Sequence, residues 1–194
     1  LIPLHGSIQL ANNFSRTLVY LEFFQWKLIK NIVISTMFGA VIGIYLFGTL
    51  PENLLVMVIA ATILFLTWAP LDNLILSVMK NDWFCGFISG FAGIFVGANG
   101  PLVTAYLRTK NLSPEFLVAN HGAIMIFQHG IKIILFVSFF NFMILDYFSF
   151  ILILALTGYA GAILGRRLIS KVPFKSFNII LKVFLTLLAF SLFF

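Results

Sequence analysis

Residues 115–140 read EFLVANHGAIMIFQHGIKIILFVSFF, an apolar run of 26 residues with a few polar side chains inside it. A helix of about 20 mainly apolar residues is long enough to cross the hydrocarbon core of a bilayer. The same character extends to the whole chain of 194 residues, of which 61% are hydrophobic and 9% are charged. A soluble domain needs a polar shell that this composition does not supply. We therefore predict an all-α, polytopic integral membrane protein.

Hydrophobic runs bounded by turn residues predict seven helical segments. They are Pro3–Leu21, Ile29–Gly48, Asn53–Pro70, Trp83–Leu107, Glu115–Phe140, Phe148–Leu168 and Ser176–Phe194. We expect the fourth segment to break near Gly97–Pro101, because proline lacks an N–H group and disfavours helix in the residue before it. A half-helix that starts at Pro101 directs its positive end toward the break, where it can hold an anion.

Basic residues are unequally divided between the loops on alternate sides of these segments. One side has six (Arg108, Lys110, Arg166, Arg167, Lys171 and Lys175) and the other has three (Lys27, Lys30 and Lys80). Since cytoplasmic loops are richer in Lys and Arg, we predict that the last loop is cytoplasmic. A re-entrant fourth segment would change this count. The same bias accounts for the net charge of +6 without a nucleic-acid partner.

Two parts of the chain match at a fixed spacing. His5-Gly6 aligns with His121-Gly122 at an offset of 116 residues, and the same offset pairs Asn12 with Gln128, Asn13 with His129 and Arg16 with Lys132. Gly39, Gly43 and Pro51 match Gly161, Gly165 and Pro173 at an offset of 122. Internal duplication is common in transporters, whose substrate sites lie between the repeats.

This match predicts two tandem four-helix repeats. The first is 1–71 and lacks its first helix, 72–82 is a connecting loop, and the second is 83–194. We expect eight spans in the intact protein and about seven here, because the first copy has no counterpart of the 34 residues Trp83–Phe116. Since four is an even number, we also expect both copies to share one orientation.

Polar residues recur along one face of two predicted helices. His121, Gln128 and Lys132 lie within roughly 40° of one another on a helix with about 3.6 residues per turn. His5, Asn12 and Arg16 repeat this stripe, whereas His129 lies off it and is interpreted as a packing or hydrogen-bonding residue. The two basic side chains could instead extend toward the membrane interface, and the amides could simply join helices.

The six acidic residues lie in loops or at helix ends, so a cavity lined by these stripes is expected to be cationic. A bound anion would offset the cost of burying its positive charges. We therefore predict a substrate site for a small anion. Its residues are Gly97, Asn99, Gly100, Pro101, His121, Gln128, Lys132, His5, Asn12 and Arg16.

The glycine-rich stretch GFISGFAGIFVGANGPLVTAYL at 86–107, the segment Glu115–Lys132 and the duplicated layout resemble the TauE/SafE sulfite-exporter family. In place of the Gly-Gly-Gly run usual in that family, this chain has Gly97-Ala98-Asn99-Gly100. The resemblance implies a multi-pass protein of the bacterial inner membrane. It also implies export or import of sulfite, sulfonates or related small organic anions.

Taken together, the residues and the resemblance predict a secondary carrier of a small anion, embedded in a lipid bilayer and working without a cofactor or metal. A passive anion channel is the main alternative. An intramembrane enzyme is a weaker one, since the chain has three histidines, the single cysteine Cys85 and no His-Glu-x-x-His sequence. The identity of the anion, the direction of transport, the coupling ion and the oligomeric state stay open.

Overall fold

A computed structural model describes residues 2–68, 80–96 and 99–168, together with 183, 186 and 187. Between residues 2 and 168 the helices are α1 Ile2–Val19, α2 Trp26–Thr49, α3 Glu52–Trp68, α4 Asp82–Phe95, α5 Gly100–Arg108, α6 Pro114–Phe140 and α7 Phe148–Leu168. Two short 3-10 helices, Leu21–Phe23 and Ile144–Tyr147, precede α2 and α7. For the described residues, the all-α prediction is confirmed.

Five predicted segments correspond to single helices with bounds that differ by three residues or fewer. Among the described residues, α2 and the part of α6 from Glu115 to Phe140 are each long and apolar enough to cross a membrane. The predicted segment Ser176–Phe194 lies outside the described residues except for 183, 186 and 187, which are helical. Asp72, assigned to the connecting loop, also lies outside them.

The fourth predicted segment is a helical hairpin made of α4 and α5. In α5, Tyr106 donates a hydrogen bond from its hydroxyl to Asp82 Oδ1, at the first residue of α4, over 3.0 Å. Lys110, just beyond α5, forms an ion pair with the same carboxylate at 3.0 Å. The thiol of Cys85 lies 3.9 Å from the carbonyl oxygen of Leu102. The expected break is therefore present, and the segment is re-entrant, because α5 returns to the end where α4 begins.

Glycines allow α2 and α4 to pack closely and in parallel. A Cβ atom added at Gly90 would collide with the backbone of Thr36, and Thr36 donates a hydrogen bond from its hydroxyl to the Gly86 carbonyl at 3.2 Å. Nearer the start of both helices, Asn31 donates from Nδ2 to Asp82 Oδ2 at 3.2 Å. Small residues at such contacts let two backbones approach, as is usual between helices in membranes.

The helices α1 and α6, which carry the matched stripes, pack against each other in opposite directions. A Cβ added at Gly6 would lie 3.4 Å from Lys132 Cδ, and one added at Gly122 would lie 3.6 Å from Arg16 Nε. The start of α1 therefore packs against the end of α6, and the end of α1 packs against the start of α6. The expectation that both copies share one orientation is wrong for this pair, because the hairpin enters and leaves at the same end.

The hairpin also changes the distribution of charge. Lys27, Lys30, Lys80, Arg108 and Lys110 all lie near the end of the bundle where α2, α4 and α6 begin, which we call the basic end. The predicted separation of Arg108 and Lys110 from the other three is therefore wrong. At the opposite end, α2 and α6 finish together, with the rings of Phe47 and Phe140 5.6 Å apart.

Candidate anion-binding site

Lys132 is the most unusual side chain in the described part of the chain. It lies on α6 facing Gly6 of α1, and only 2% of its surface is exposed. Its ammonium nitrogen has no hydrogen-bond partner among the described residues. A buried charge is costly unless it is paired, so a counter-charge from outside the protein would lower the cost of burying this ammonium.

Two histidines accompany this lysine. His129 precedes it by three residues on α6, is 1% exposed, and its Nδ1 atom has no hydrogen-bond partner among the described residues. The ring of His5 on α1 packs edge-on against the ring of His129, with centroids 6.4 Å apart. Gln9 donates a hydrogen bond from its Nε2 to Nε2 of His5 at 3.3 Å. We call His5, His129 and Lys132 the Lys132 pocket.

The sequence interpretation did not include His129 in the site. A helical stripe through His121, Gln128 and Lys132 leaves it to one side, yet residues three apart on a helix are neighbours. Its match to Asn13 at the offset of 116 was the available signal, since Asn13 accompanies Arg16 in the same way.

Gln128 joins the hairpin to the rest of the bundle. Its Nε2 donates to Thr36 Oγ1 at 3.2 Å and to Ser89 Oγ at 2.8 Å, while its Oε1 accepts a hydrogen bond from Asn99 Nδ2. Asn99 also donates from Nδ2 to the Ser89 carbonyl at 3.3 Å. These bonds place the hairpin tip against α6, one helical turn before Lys132.

Arg16 and His121 form a second polar group. Arg16 donates to Asn13 Oδ1 and to His121 Nδ1, the latter at 3.0 Å. Because arginine only donates, Nδ1 of His121 accepts, so its Nε2 carries the hydrogen and donates to the Gly100 carbonyl at 3.2 Å. Unlike Lys132, Arg16 is exposed and has partners within the protein.

The remaining predicted site residues are more scattered. Asn12 lies on the side of α1 that faces α7, where a Cβ added at Gly158 would come within 2.8 Å of its Oδ1. Pro101, in the first turn of α5, is exposed, and Gly97 lies outside the described residues. The structure thus brings together Asn99 with Gln128, and Arg16 with His121 and Gly100.

The free polar atoms of the Lys132 pocket are hydrogen-bond donors or can become donors. Lysine is a donor only, and a histidine Nδ1 can donate in one tautomer, so both orphaned nitrogens can bond an oxyanion. Among the described residues, every acidic side chain lies at a helix end or in a connecting segment: Glu22, Glu52, Asp82, Glu115 and Asp146. The pocket lies between α1 and α6, where Gly6 packs on the stem of Lys132.

In the part of the chain that the structure describes, the fold is all-helical, and two of its helices are long and apolar enough to cross a membrane. A comparison with protein-family models matches residues 2–192 to the family described as Sulfite exporter TauE/SafE. The chain therefore belongs to this family of membrane transporters, which confirms the resemblance seen in the sequence. Comparisons with curated proteins and with solved structures gave no match.

Proposed function

We propose that this protein is a secondary carrier of a small oxyanion, such as sulfite or a sulfonate, and that it binds the anion in the Lys132 pocket. The observation that supports this proposal is the ammonium group of Lys132, which is buried without a partner among the described residues. Leaving a buried charge unpaired costs several kcal/mol, on the order of 3–5 when one partner of a pair is removed. A bound oxyanion offsets this cost.

The hairpin tip completes the proposed site. Asn99 donates a hydrogen bond to Gln128 Oε1, and Gln128 lies one helical turn from Lys132 on α6. The nine-residue helix α5 begins at Gly100 with Pro101 in its first turn, so its positive dipole end lies at the tip. In this proposal the dipole of α5 favours the anion, and Gln128 positions the hairpin tip through its hydrogen bond with Asn99.

The test is uptake of sulfite by proteoliposomes that contain the full-length protein, compared with uptake of a neutral sugar. Lys132→Met removes the charge and keeps an unbranched side chain. Hydrogen bonds to charged groups contribute about 1.5–3 kcal/mol, which corresponds to a fall of about tenfold to a hundredfold in uptake at low sulfite. Lys30→Met is the matched control, because Lys30 is an exposed lysine at the basic end.

Each result discriminates between functions. Selective loss in Lys132→Met supports the proposed site, whereas equal uptake by both variants contradicts it. Acceleration of labelled sulfite uptake by unlabelled sulfite inside the vesicles distinguishes a carrier from a passive channel, since a channel shows no such counterflow. Uptake of no anion by well-folded protein would leave family membership intact and refute this assignment of function.

A further inference from the structure

We propose that α1 and α6 form the centre of an inverted-topology duplication, in which Arg16 and Lys132 are two separate stations for the anion, one for each face of the membrane. The assignment of two stations rests on the proposed function. The inverted arrangement is independent of that function, because it follows from helix packing alone.

The contacts between α1 and α6 are symmetric: each contact made by a residue of one helix has an equivalent made by the matching residue of the other. Gly6 faces Lys132, and Gly122 faces Arg16. Gly122 and Lys132 are the residues that match Gly6 and Arg16 at the offset of 116. Only a two-fold axis perpendicular to both helices exchanges these two contacts. If the helices cross the membrane, that axis lies in its plane, as in the inverted repeats of other transporters.

The residues around Arg16 and Lys132 are related by the same two-fold symmetry. Arg16 has Asn13 three residues before it and bonds to His121 of the partner helix. Lys132 has His129 three residues before it, and His129 packs on His5 of the partner helix. Each station therefore consists of a cation, a histidine from the opposite helix and a polar side chain one turn away.

The distance between the stations excludes a single shared site for a small ion. His121, which bonds to Arg16, and Lys132 are separated by 11 residues on α6. At 1.5 Å per residue this separation is about 16 Å, roughly half of the 30 Å hydrocarbon core. An oxyanion of a few ångströms cannot contact both cations at once.

The two stations also differ in their exposure and in their hydrogen bonding. Arg16 is exposed and its guanidinium is bonded within the protein, whereas Lys132 is enclosed and its ammonium is unpaired among the described residues. Arg16 lies in the last turn of α1, toward the basic end. We therefore assign the Arg16 station to the basic end and the Lys132 station to the opposite end.

The inverted arrangement is tested by labelling single introduced cysteines with a membrane-impermeant maleimide. Lys80→Cys and Arg108→Cys flank the hairpin, and Met143→Cys lies at the far end of α6; all three positions are exposed. The expected result is labelling of the first two from the same face and of the third from the other face. Labelling of positions 80 and 108 from opposite faces would mean that 83–107 crosses the membrane, and would overturn the inversion.

The stations are tested by sulfite uptake measured separately at each face, with vesicle orientation determined from the Arg108→Cys label. Arg16→Gln is expected to raise the apparent KM about tenfold at the basic face and less than twofold at the other. Lys132→Met is expected to show the reverse pattern, and Lys30→Met neither effect.

The outcomes separate this inference from the function on which it rests. Equal changes at both faces in both variants would overturn the two stations and leave a carrier with one site. If Lys132→Met leaves uptake unchanged at both faces, the proposed function fails at its site, while the labelling result still decides the topology.

Discussion

At the residue scale, Lys132 differs from an ordinary buried polar residue. Its removal is expected to remove the free-energy cost of burying an unpaired charge. The side chain is 2% exposed, and its ammonium has no partner among the described residues. We predict that Lys132→Met unfolds in detergent at the same temperature as the wild type or higher, since a methionine of similar shape needs no counter-charge. Thermal unfolding followed by size-exclusion chromatography checks this prediction.

Added sulfite makes the same measurement specific for binding. A ligand that binds only the folded state raises its stability, by about 2.7 kcal/mol at a hundred times its Kd. Sulfite is therefore expected to raise the unfolding temperature of the wild type and of Lys30→Met, and to raise that of Lys132→Met less, since only the Arg16 station remains. A large drop in stability of Lys132→Met without ligand would instead assign the lysine a structural role.

At the scale of elements, the contact between α2 and α4 depends on glycines. A Cβ at Gly90 would strike the backbone of Thr36, which cannot move aside as a flexible side chain can. We predict that Gly90→Ala lowers the unfolding temperature and reduces uptake, because the hairpin must shift away from α2. Overpacking of this kind costs about 1–3 kcal/mol.

Gly130 provides the matched control for this prediction. It also lies inside a helix, but a Cβ added there meets nothing within 4 Å among the described atoms. Alanine is favoured over glycine in helices by about 0.5–1 kcal/mol, so Gly130→Ala is expected to keep or raise stability. Equal destabilisation by both substitutions would show that close packing at Gly90 is not the cause.

At the scale of the whole molecule, the hairpin brings five basic residues, from Lys27 to Lys110, to one end. The described connections at the opposite end, 49–52 and 141–147, contain Glu52 and Asp146 but no lysine or arginine. Since basic loops are retained in the cytoplasm, we predict that the basic end is cytoplasmic.

Labelling of intact cells checks this orientation. Met143→Cys is expected to react with the impermeant maleimide in intact cells, and Arg108→Cys only after the cells are permeabilised. The native chain serves as the unlabelled control, because its one cysteine, Cys85, is fully buried. The opposite labelling pattern would reverse the predicted orientation of the protein.

The sequence by itself was enough to determine the class of protein, most helix bounds, the family resemblance, and the placing of Arg16 and Lys132 within helices. These properties depend on composition, on local hydrophobic runs and on matched spacing, all of which can be read along the chain. The break in 83–107 was also predictable, because proline and glycine act on their immediate neighbours.

Only the tertiary structure decided that the chain turns back at this break. The contact between Lys110 and Asp82 closes the hairpin, and it joins residues 28 apart in sequence. That contact reverses the direction of α6 relative to α1, and hence which side chains meet: His129 joins Lys132, whereas Asn12 faces Gly158. Local sequence specifies that a helix forms, but its direction and its neighbours depend on contacts between distant residues.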